Sequence, residues 1–494
     1  MRSVSPLGWT RSVFSARAEL VVFGISLSTP RYCAVGVFVA GSAALTGCAG
    51  GGYERPSVDI PTRWTHVSHA NAGSLANATP WWERFGDARL DRLIAAALSR
   101  NNDLATAVLN VRKAQLRAGL SGDPLQFGLE AGATAHRDFR LDDGGSIRSS
   151  SGSTLRGTVN YTIDLWGRLA QQQNIARWAL QASEADHETV RLNIIGTTAD
   201  LYWQLAYLNQ RLASGEKSLA TALRTQQLVY AQNLAGTVSA LERREAEQTV
   251  LTQKSSLSQL RQTQVETRNA LAIVFNAAPG SNVLEEVLGQ EPDALPTRTL
   301  PTVEEGVPAD LLGRRPDLRA AELRLRQSLA NVDVVRTSYY PTLSLTGAVG
   351  SSSTSLGTLL ANPVAVLGAG LNLPFLNLKA MRLDTRIAQT EYEAAVIGFR
   401  QTLYQAFANV ENALSARVHL AEQAELRALN LTAAREAERL YEIRYRAGAV
   451  ALRMWLDAQE AHRNAELLWA QARLSQLQNF VTLYQAMGGD TSSP

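Results

Sequence analysis

The chain has two cysteines, Cys33 and Cys48, and both fall within its first tenth. The rest of the protein therefore has no thiol for a disulfide, a cysteine-based zinc site or a cysteine nucleophile. Six histidines and four methionines are scattered without metal-ligand spacing, so no metal site is expected. His187-Glu188 lacks the second histidine of a zinc-protease helix, and no Walker A, dinucleotide-binding or nucleophile-elbow pattern occurs. The remaining candidate for chemistry is Cys48. It follows Leu45-Thr46-Gly47, whose small residues give a peptidase access to the bond before the cysteine. Arg11, Arg17 and Arg31 precede an apolar stretch from Ala34 to Leu45, too short to span a bilayer but suited to a signal peptide. The pattern, a lipobox, predicts removal of residues 1–47 and acylation of Cys48 by a diacylglycerol and an N-acyl lipid. More than one acyl chain makes such an anchor essentially permanent. A second apolar patch at Leu20–Ile25 makes the leader long and leaves open a translation start downstream of Met1.

The elements that carry this anchor are set by composition and periodicity. Lys and Arg number 48 against 45 Asp and Glu, and the two signs alternate along the chain, unlike the concentrated basic footprint of a nucleic-acid binder. A 45% hydrophobic content with 7% aromatics and a mean hydropathy of −0.11 excludes an ordinary disordered chain and a bundle of membrane-spanning helices. Residues 48–80 begin Cys48-Ala49-Gly50-Gly51-Gly52 and continue polar with Pro56, Pro61 and Pro80, the composition of a lipidated tether.

No proline occurs from Leu125 to Ala278 or from Phe375 to Ser493, which permits very long helices. Phe399, Leu403, Ala406, Val410 and Ala413 step by four and three, as do Leu467, Ala470, Leu474, Leu477, Val481 and Tyr484, and these are coiled-coil stripes. Ile195, Ala199, Tyr202 and Ala206 repeat the pattern in the first segment. Each segment is broken by a glycine, in Leu234-Ala235-Gly236-Thr237-Val238 and Arg446-Ala447-Gly448-Ala449-Val450, which predicts the tips of antiparallel hairpins at about 169–278 and 378–487. The glycines lie 448 − 236 = 212 positions apart, and the same offset aligns Glu245-Ala246-Glu247 with Asp457-Ala458-Gln459. The chain reads as a tandem duplication: repeat 1 over 81–278, a Pro-rich linker over 279–308, repeat 2 over 309–488, and a tail over 489–494.

Ahead of each hairpin the period changes to two. Leu155, Gly157, Val159, Tyr161, Ile163 and Leu165 alternate with polar residues, which predicts a strand over about 154–165 beside a weaker one over 127–137. Repeat 2 offers strands over about 342–350 and 364–375. Such lengths and alternation suit a transmembrane β-barrel with lipid outside and water inside. Either hairpin alone also fits an ordinary half-buried hairpin; if the strands cross a membrane, four cannot close a barrel with a lumen and several chains must contribute.

These features resemble the TolC/OprM-type outer-membrane efflux channels, in the NodT-like lipoprotein branch. The likeness rests on Trp81-Trp82-Glu83-Arg84-Phe85-Gly86-Asp87, on Tyr161-Thr162-Ile163-Asp164-Leu165-Trp166-Gly167-Arg168, on Arg314-Arg315-Pro316-Asp317-Leu318-Arg319-Ala320-Ala321-Glu322, and on Tyr340-Pro341-Thr342-Leu343. It implies a mainly α fold with long hairpins forming a periplasmic α-barrel. Four strands per chain would join a trimeric transmembrane β-barrel. The implied role is that of a passive exit duct without enzymatic activity, for drugs or other small toxic solutes. Its partners would be two further copies, outer-membrane lipid, a periplasmic membrane-fusion adaptor and an inner-membrane RND pump, with no nucleic acid. An acidic collar at the narrow periplasmic aperture maps by motif onto Asp457, with Arg453 and Glu460 nearby. Whether Glu460 reinforces the collar, or Arg453 neutralises it by pairing with Asp457 one turn away, stays open on this reading. The hairpin tips, Gly236, Thr237 and Val238 with Gly448, Ala449 and Val450, are the implied adaptor contacts. The alternatives are the exit duct of a type I secretion system and a structural coiled-coil lipoprotein; the latter leaves the repeated strand hairpins unexplained.

Overall fold

A computed structural model describes residues 53–65, 80–139, 147–301, 308, 311–354, 356–361 and 363–489. Cys33 and Cys48, with the acylation expected there, lie outside the described residues. In chain order the elements are α1 (Ala88–Arg100), α2 (Asn102–Leu120), β1 (Leu125–Phe139), β2 (Ile147–Ile163), α3 (Arg168–Leu234) and α4 (Ala240–Val274). There follow α5 (Val283–Leu288), α6 (Leu311–Arg314), α7 (Pro316–Ser338), β3 (Thr342–Ser353), β4 (Pro363–Asn372), α8 (Leu378–Arg446) and α9 (Leu452–Ala486).

The two proline-free segments form α3 and α8, of 67 and 69 residues, each about 100 Å long at 1.5 Å per residue. Each folds back through a glycine with φ of 73° (Gly236) or 72° (Gly448) into a helix of 35 residues, α4 or α9. The stripes at Phe399–Ala413 and Ile195–Ala206 are buried, as are Ala470, Leu474, Leu477, Val481 and Tyr484. Hairpin α3–α4 packs along itself, as does α8–α9, and α9 also lies against α3.

The strands form one sheet in the order β1-β2-β3-β4, every pair antiparallel, so the two repeats are joined through β2 and β3. β1 and β2 are 15 and 17 residues long, longer than the alternation predicts. The Ser- and Gly-rich run at the far end of β2 has no apolar–polar period, yet its backbone still pairs, from Ser153↔Ala133 out to Ile147↔Phe139.

The quoted motifs are structural joints. Trp81 stacks on Tyr484 with ring centroids 5.4 Å apart, and Phe85 meets Trp203 and Phe480, each at 5.0 Å. Asp87 caps α1 by accepting from the Arg89 backbone N–H at 3.0 Å, and it also accepts the Tyr202 hydroxyl. The Arg315 guanidinium donates to Asp317 and to the carbonyl of Ala486, which pins the end of α9 to the start of α7. The inter-repeat linker ties the hairpins together. Arg268 makes a bidentate pair with Glu291 at 2.7 and 2.9 Å, Asn209 donates to Glu291 and to the Pro292 carbonyl, and Arg473 donates to the Pro296 carbonyl at 2.8 Å. Near the N-terminus, Arg55 and Arg326 both donate to the buried Glu322 carboxylate, and the Arg326 guanidinium lies 4.7 Å from the centre of the Tyr53 ring.

Two stability predictions follow from these joints. Gly488 has φ +91°, and a Cβ there would lie 2.8 Å from the Arg314 carbonyl oxygen. Gly488→Ala should therefore cost about 1–3 kcal/mol in thermal unfolding. A substitution without effect would mean that this joint does not hold the repeats together. Asp200 on α3 has a buried Oδ1 with no hydrogen-bond partner among the described residues, and burial pushes its carboxyl up to about 7. The folded state then holds a proton that the unfolded chain releases, so stability should fall as pH rises from about 4 to 7. Asp200→Asn should flatten that slope and raise the melting temperature at pH 8; a parent and variant with parallel pH profiles would show that Asp200 is not its source.

Candidate functional site

The register of the sheet sorts its side chains into an apolar face and one that is polar along β1–β3 and carries Val364 and Val366 on β4. One face carries the row Phe127, Val159, Gly347 and Leu367, flanked by the rows Leu125, Tyr161, Leu345, Ala369 and Leu129, Gly157, Val349, Ala365. The opposite face carries Gln126, Asn160 and Thr346 in one row and Glu130, Arg156 and Gly350 in another. Among the described residues nothing covers the apolar face: Phe127 is 76% exposed, Leu129 81% and Leu367 92%, and every residue of β4 is exposed. An apolar face in water would be a large aggregation surface, whereas in lipid it is the solvated side, with the polar face lining water. No helix of the described residues is long and apolar enough to cross a membrane.

At the base of the sheet the Trp166 indole N–H donates to the Pro341 carbonyl at 2.7 Å, and its ring meets Tyr340 edge-on at 5.2 Å. This ties the strand-to-helix junction of repeat 1 to the helix-to-strand junction of repeat 2. The helices below keep the order of the sheet. Against α3 pack α2 and α7, and α8 packs on α7, giving a layer α2–α3–α7–α8 beneath β1-β2-β3-β4.

The far ends of the hairpins are two turns of the same design. The Gly236 N–H donates to the Asn233 carbonyl and the Thr237 N–H to that of Gln232; the Gly448 N–H donates to Tyr445 and the Ala449 N–H to Arg444. These are Schellman-type closures, which glycine allows at positive φ without a Cβ penalty. Gly236, Thr237, Gly448 and Ala449 are exposed, while Val238 packs on a small core of Val229, Ala246, Leu452, Trp455 and Leu456; Val450 is half-buried. The Tyr445 hydroxyl donates to Gln232 at 2.8 Å and its ring stacks on Trp455, so the two tips lie side by side.

Of the three predicted aperture residues, the structure brings two together. The Arg453 guanidinium donates to Asp457 at 3.2 Å and, across the hairpins, to Glu245 at 3.3 Å. Glu460 turns instead to Arg463 on its own helix. Glu245 is the functional candidate that the family likeness does not supply. The 212-residue offset does, because it places Glu245 at the position equivalent to Asp457. Arg453 thus sits between the two repeat-related carboxylates. Its repeat-1 equivalent is Leu241, so the bridge exists once per chain.

Known proteins share this fold. The sequence profile of a family described as outer membrane efflux protein matches residues 93–277 and 307–489, one segment for each repeat. The pyoverdine export outer membrane protein OpmQ of Pseudomonas putida is 34% identical over 444 residues, covering 87% of this chain and 92% of that protein. Outer membrane protein OprJ of Pseudomonas aeruginosa is 28% identical over 449 residues, covering 88% and 91%. Among solved structures, the outer-membrane channel OprN matches with a TM-score of 0.74 at 26% identity, covering 88% of this chain and 99% of that one. The MtrE outer membrane channel of Neisseria gonorrhoeae matches with a TM-score of 0.72 at 27% identity, covering 89% and 98%. With both repeats inside one family profile and nearly the whole length shared with outer-membrane channels, the chain belongs to the outer membrane efflux protein family.

Proposed function

We propose that three copies of this chain form a passive exit duct that carries small solutes through the periplasm and across the outer membrane. The observation that carries this reading is the four-stranded sheet, apolar on one face and polar on the other, with both outer strands unpaired. Each unpaired backbone group in lipid costs several kcal/mol, so the edges of β1 and β4 must be met by further copies. In the meander β1-β2-β3-β4 the outer strands run in opposite directions, so β4 of one copy meets β1 of the next in antiparallel fashion. Three copies give twelve strands, more than the eight whose interior side chains alone can fill, and the surplus is lumen. The helix layer continues the ring with its own two free flanks, on α2 and α8.

On this reading the duct performs no chemistry, and its selectivity is a matter of charge and width. The hairpin tips face a periplasmic adaptor that links the duct to an inner-membrane pump of the RND type, and Cys48 carries the lipid anchor. Support for efflux over other exit roles is the family itself, together with relatives such as the toluene efflux pump outer membrane protein TtgC of Pseudomonas putida, 27% identical over 450 residues. Three copies of Asp457 near the aperture make an acidic collar that Arg453 partly neutralises.

Planar-bilayer recordings test the collar in both directions. Asp457→Ala should lower cation preference and Arg453→Ala should raise it, because the second change exposes Asp457 and Glu245 together. Unchanged selectivity and resting conductance in both variants would remove these residues from the aperture. The adaptor contact is tested at Gly448, around which a Cβ would meet nothing within 4 Å. Gly448→Arg should leave bilayer conductance near that of the parent while abolishing export in cells, at a local backbone cost of roughly 1–2 kcal/mol. Intact export would place the contact elsewhere. The whole reading is tested by deleting the gene: the strain should become more susceptible to at least one class of small toxic solute, and a purified protein that opens no conductance would overturn it.

A further inference from the structure

Long side chains are scarce on the polar face of the sheet. In one row Glu130 on β1 stands opposite Arg156 on β2, followed by Gly350 on β3 and Val364 on β4. The next row toward the base of the sheet holds Gly128, Thr158, Ala348 and Val366, and the next row outward Gly132, Thr154 and Ser352, all small and uncharged. Glu130 and Arg156 are both exposed, and among the described residues neither charged group closes a hydrogen bond or an ion pair.

The glycines account for that freedom. A side chain on a sheet normally leans on its cross-strand and diagonal neighbours. Around this pair those neighbours include Gly128, Gly132 and Gly350, which have no side chain to offer. At Gly350 the omission is enforced, because a Cβ there would lie 2.7 Å from the Leu155 carbonyl oxygen and 3.4 Å from the Arg156 Cβ. Both charged groups therefore stand clear of the wall. Exposed ion pairs add little to stability even when closed. This one is open, so stability does not explain its place in the sheet.

We propose that Glu130 and Arg156 are specificity-determining residues of the duct, forming a charge-balanced belt on the lumen wall of the β-barrel past which solutes of either sign can move. The inference rests on the exit-duct reading above and adds a second electrostatic level, at the opposite end of the long helices from Asp457. Three copies repeat the pair three times around the wall, always with the carboxylate on β1 and the guanidinium on β2. Strands lie about 4.8 Å apart, so the two strands of a pair are about 5 Å apart, while about 14 Å separates β2 of one copy from β1 of the next, across Gly350 and Val364. The belt as a whole carries no net sign. It keeps the wall hydrated and offers no site of single charge in which an ionic solute would lodge, which suits a passage that must release what enters it. Removing either partner would leave a ring of three like charges.

The test reads the local potential in the full-length chain, in the outer membrane of intact cells. Thr158→Cys places a thiol on the polar face about 7 Å from both partners, two residues along β2 from Arg156 and diagonal to Glu130. The thiol is reacted from outside with a cationic trimethylammonium and an anionic sulfonate methanethiosulfonate reagent. Each rate is divided by that of a free thiol, and the cation-to-anion ratio is the readout. Adding Arg156→Gln should raise the ratio about three-fold at 0.1 M salt and about five-fold at 0.01 M, and adding Glu130→Gln should lower it by similar factors. With both substitutions the ratio should return to that of Thr158→Cys alone. If the thiol reacts with both reagents but either single substitution leaves the ratio unmoved, or the double one leaves it shifted, the belt is overturned and the duct stands. If the thiol reacts with neither reagent, in cells or in detergent, the polar face does not line water, and the duct reading and the belt fall together.

Discussion

The constraint on which the rest of this structure depends is that a backbone in lipid must find all its hydrogen-bond partners in protein. A four-stranded sheet with an apolar face satisfies its two inner strands and strands the outer ones. β1 and β4 are therefore the most demanding surfaces of the molecule. On the reading proposed above, further copies meet the free edges of β1 and β4, while the open apolar rows headed by Phe127 and Leu367 face lipid.

Below the sheet a different physics applies, because the helices are surrounded by water and satisfy their own backbones. There the requirement is length without breaks. Coiled-coil stripes at Phe399–Ala413 and Ala470–Tyr484 bury side chains from alanine to phenylalanine and tyrosine on one side of α8 and α9. At one height the linker adds to a core shared by both hairpins: its Val283, Leu284, Leu288 and Leu295 are buried with Leu205, Leu271, Leu477 and Val481. By also taking Asn209 and Arg268 on one hairpin and Arg473 on the other, it fastens the pair.

Much of this was legible in the residues and some was not, for identifiable reasons. The hairpin turns were visible because only glycine takes positive φ cheaply, and Gly236 and Gly448 do so within a degree of each other. The strands were visible where alternation marks a face, as from Leu155 to Ile163, and were underestimated from Ile147 to Ser153, where pairing is by backbone alone. The joining of the two strand hairpins through β2 and β3 leaves no local signature, since register between distant strands is a property of the fold. Asp200 was silent for the same reason: a carboxylate on a long polar-faced helix reads as solvated until its neighbours bury it.

The repeat also explains why the tips differ. Duplication alone would make the two ends of each chain alike, and a trimer of such chains would present six equal turns. The turns are alike in backbone, but the positions just beyond them have diverged. Ser239 caps α4 in a reciprocal capping box with Glu242, whereas its equivalent, Ala451, leaves α9 without a side-chain cap. Leu241 has become Arg453 and Gln248 has become Glu460. The consequence is electrostatic. In repeat 1 the acidic side chain nearest the turn is occupied with its own helix start. In repeat 2 the position of Glu242 is taken by Met454, and Arg453, at the position of Leu241, gathers the equivalent carboxylates of both repeats, Glu245 and Asp457. In the proposed trimer this single divergent arginine per chain would give the charge at the hairpin tips three-fold rather than six-fold periodicity, on a scaffold whose backbone turns remain nearly six-fold.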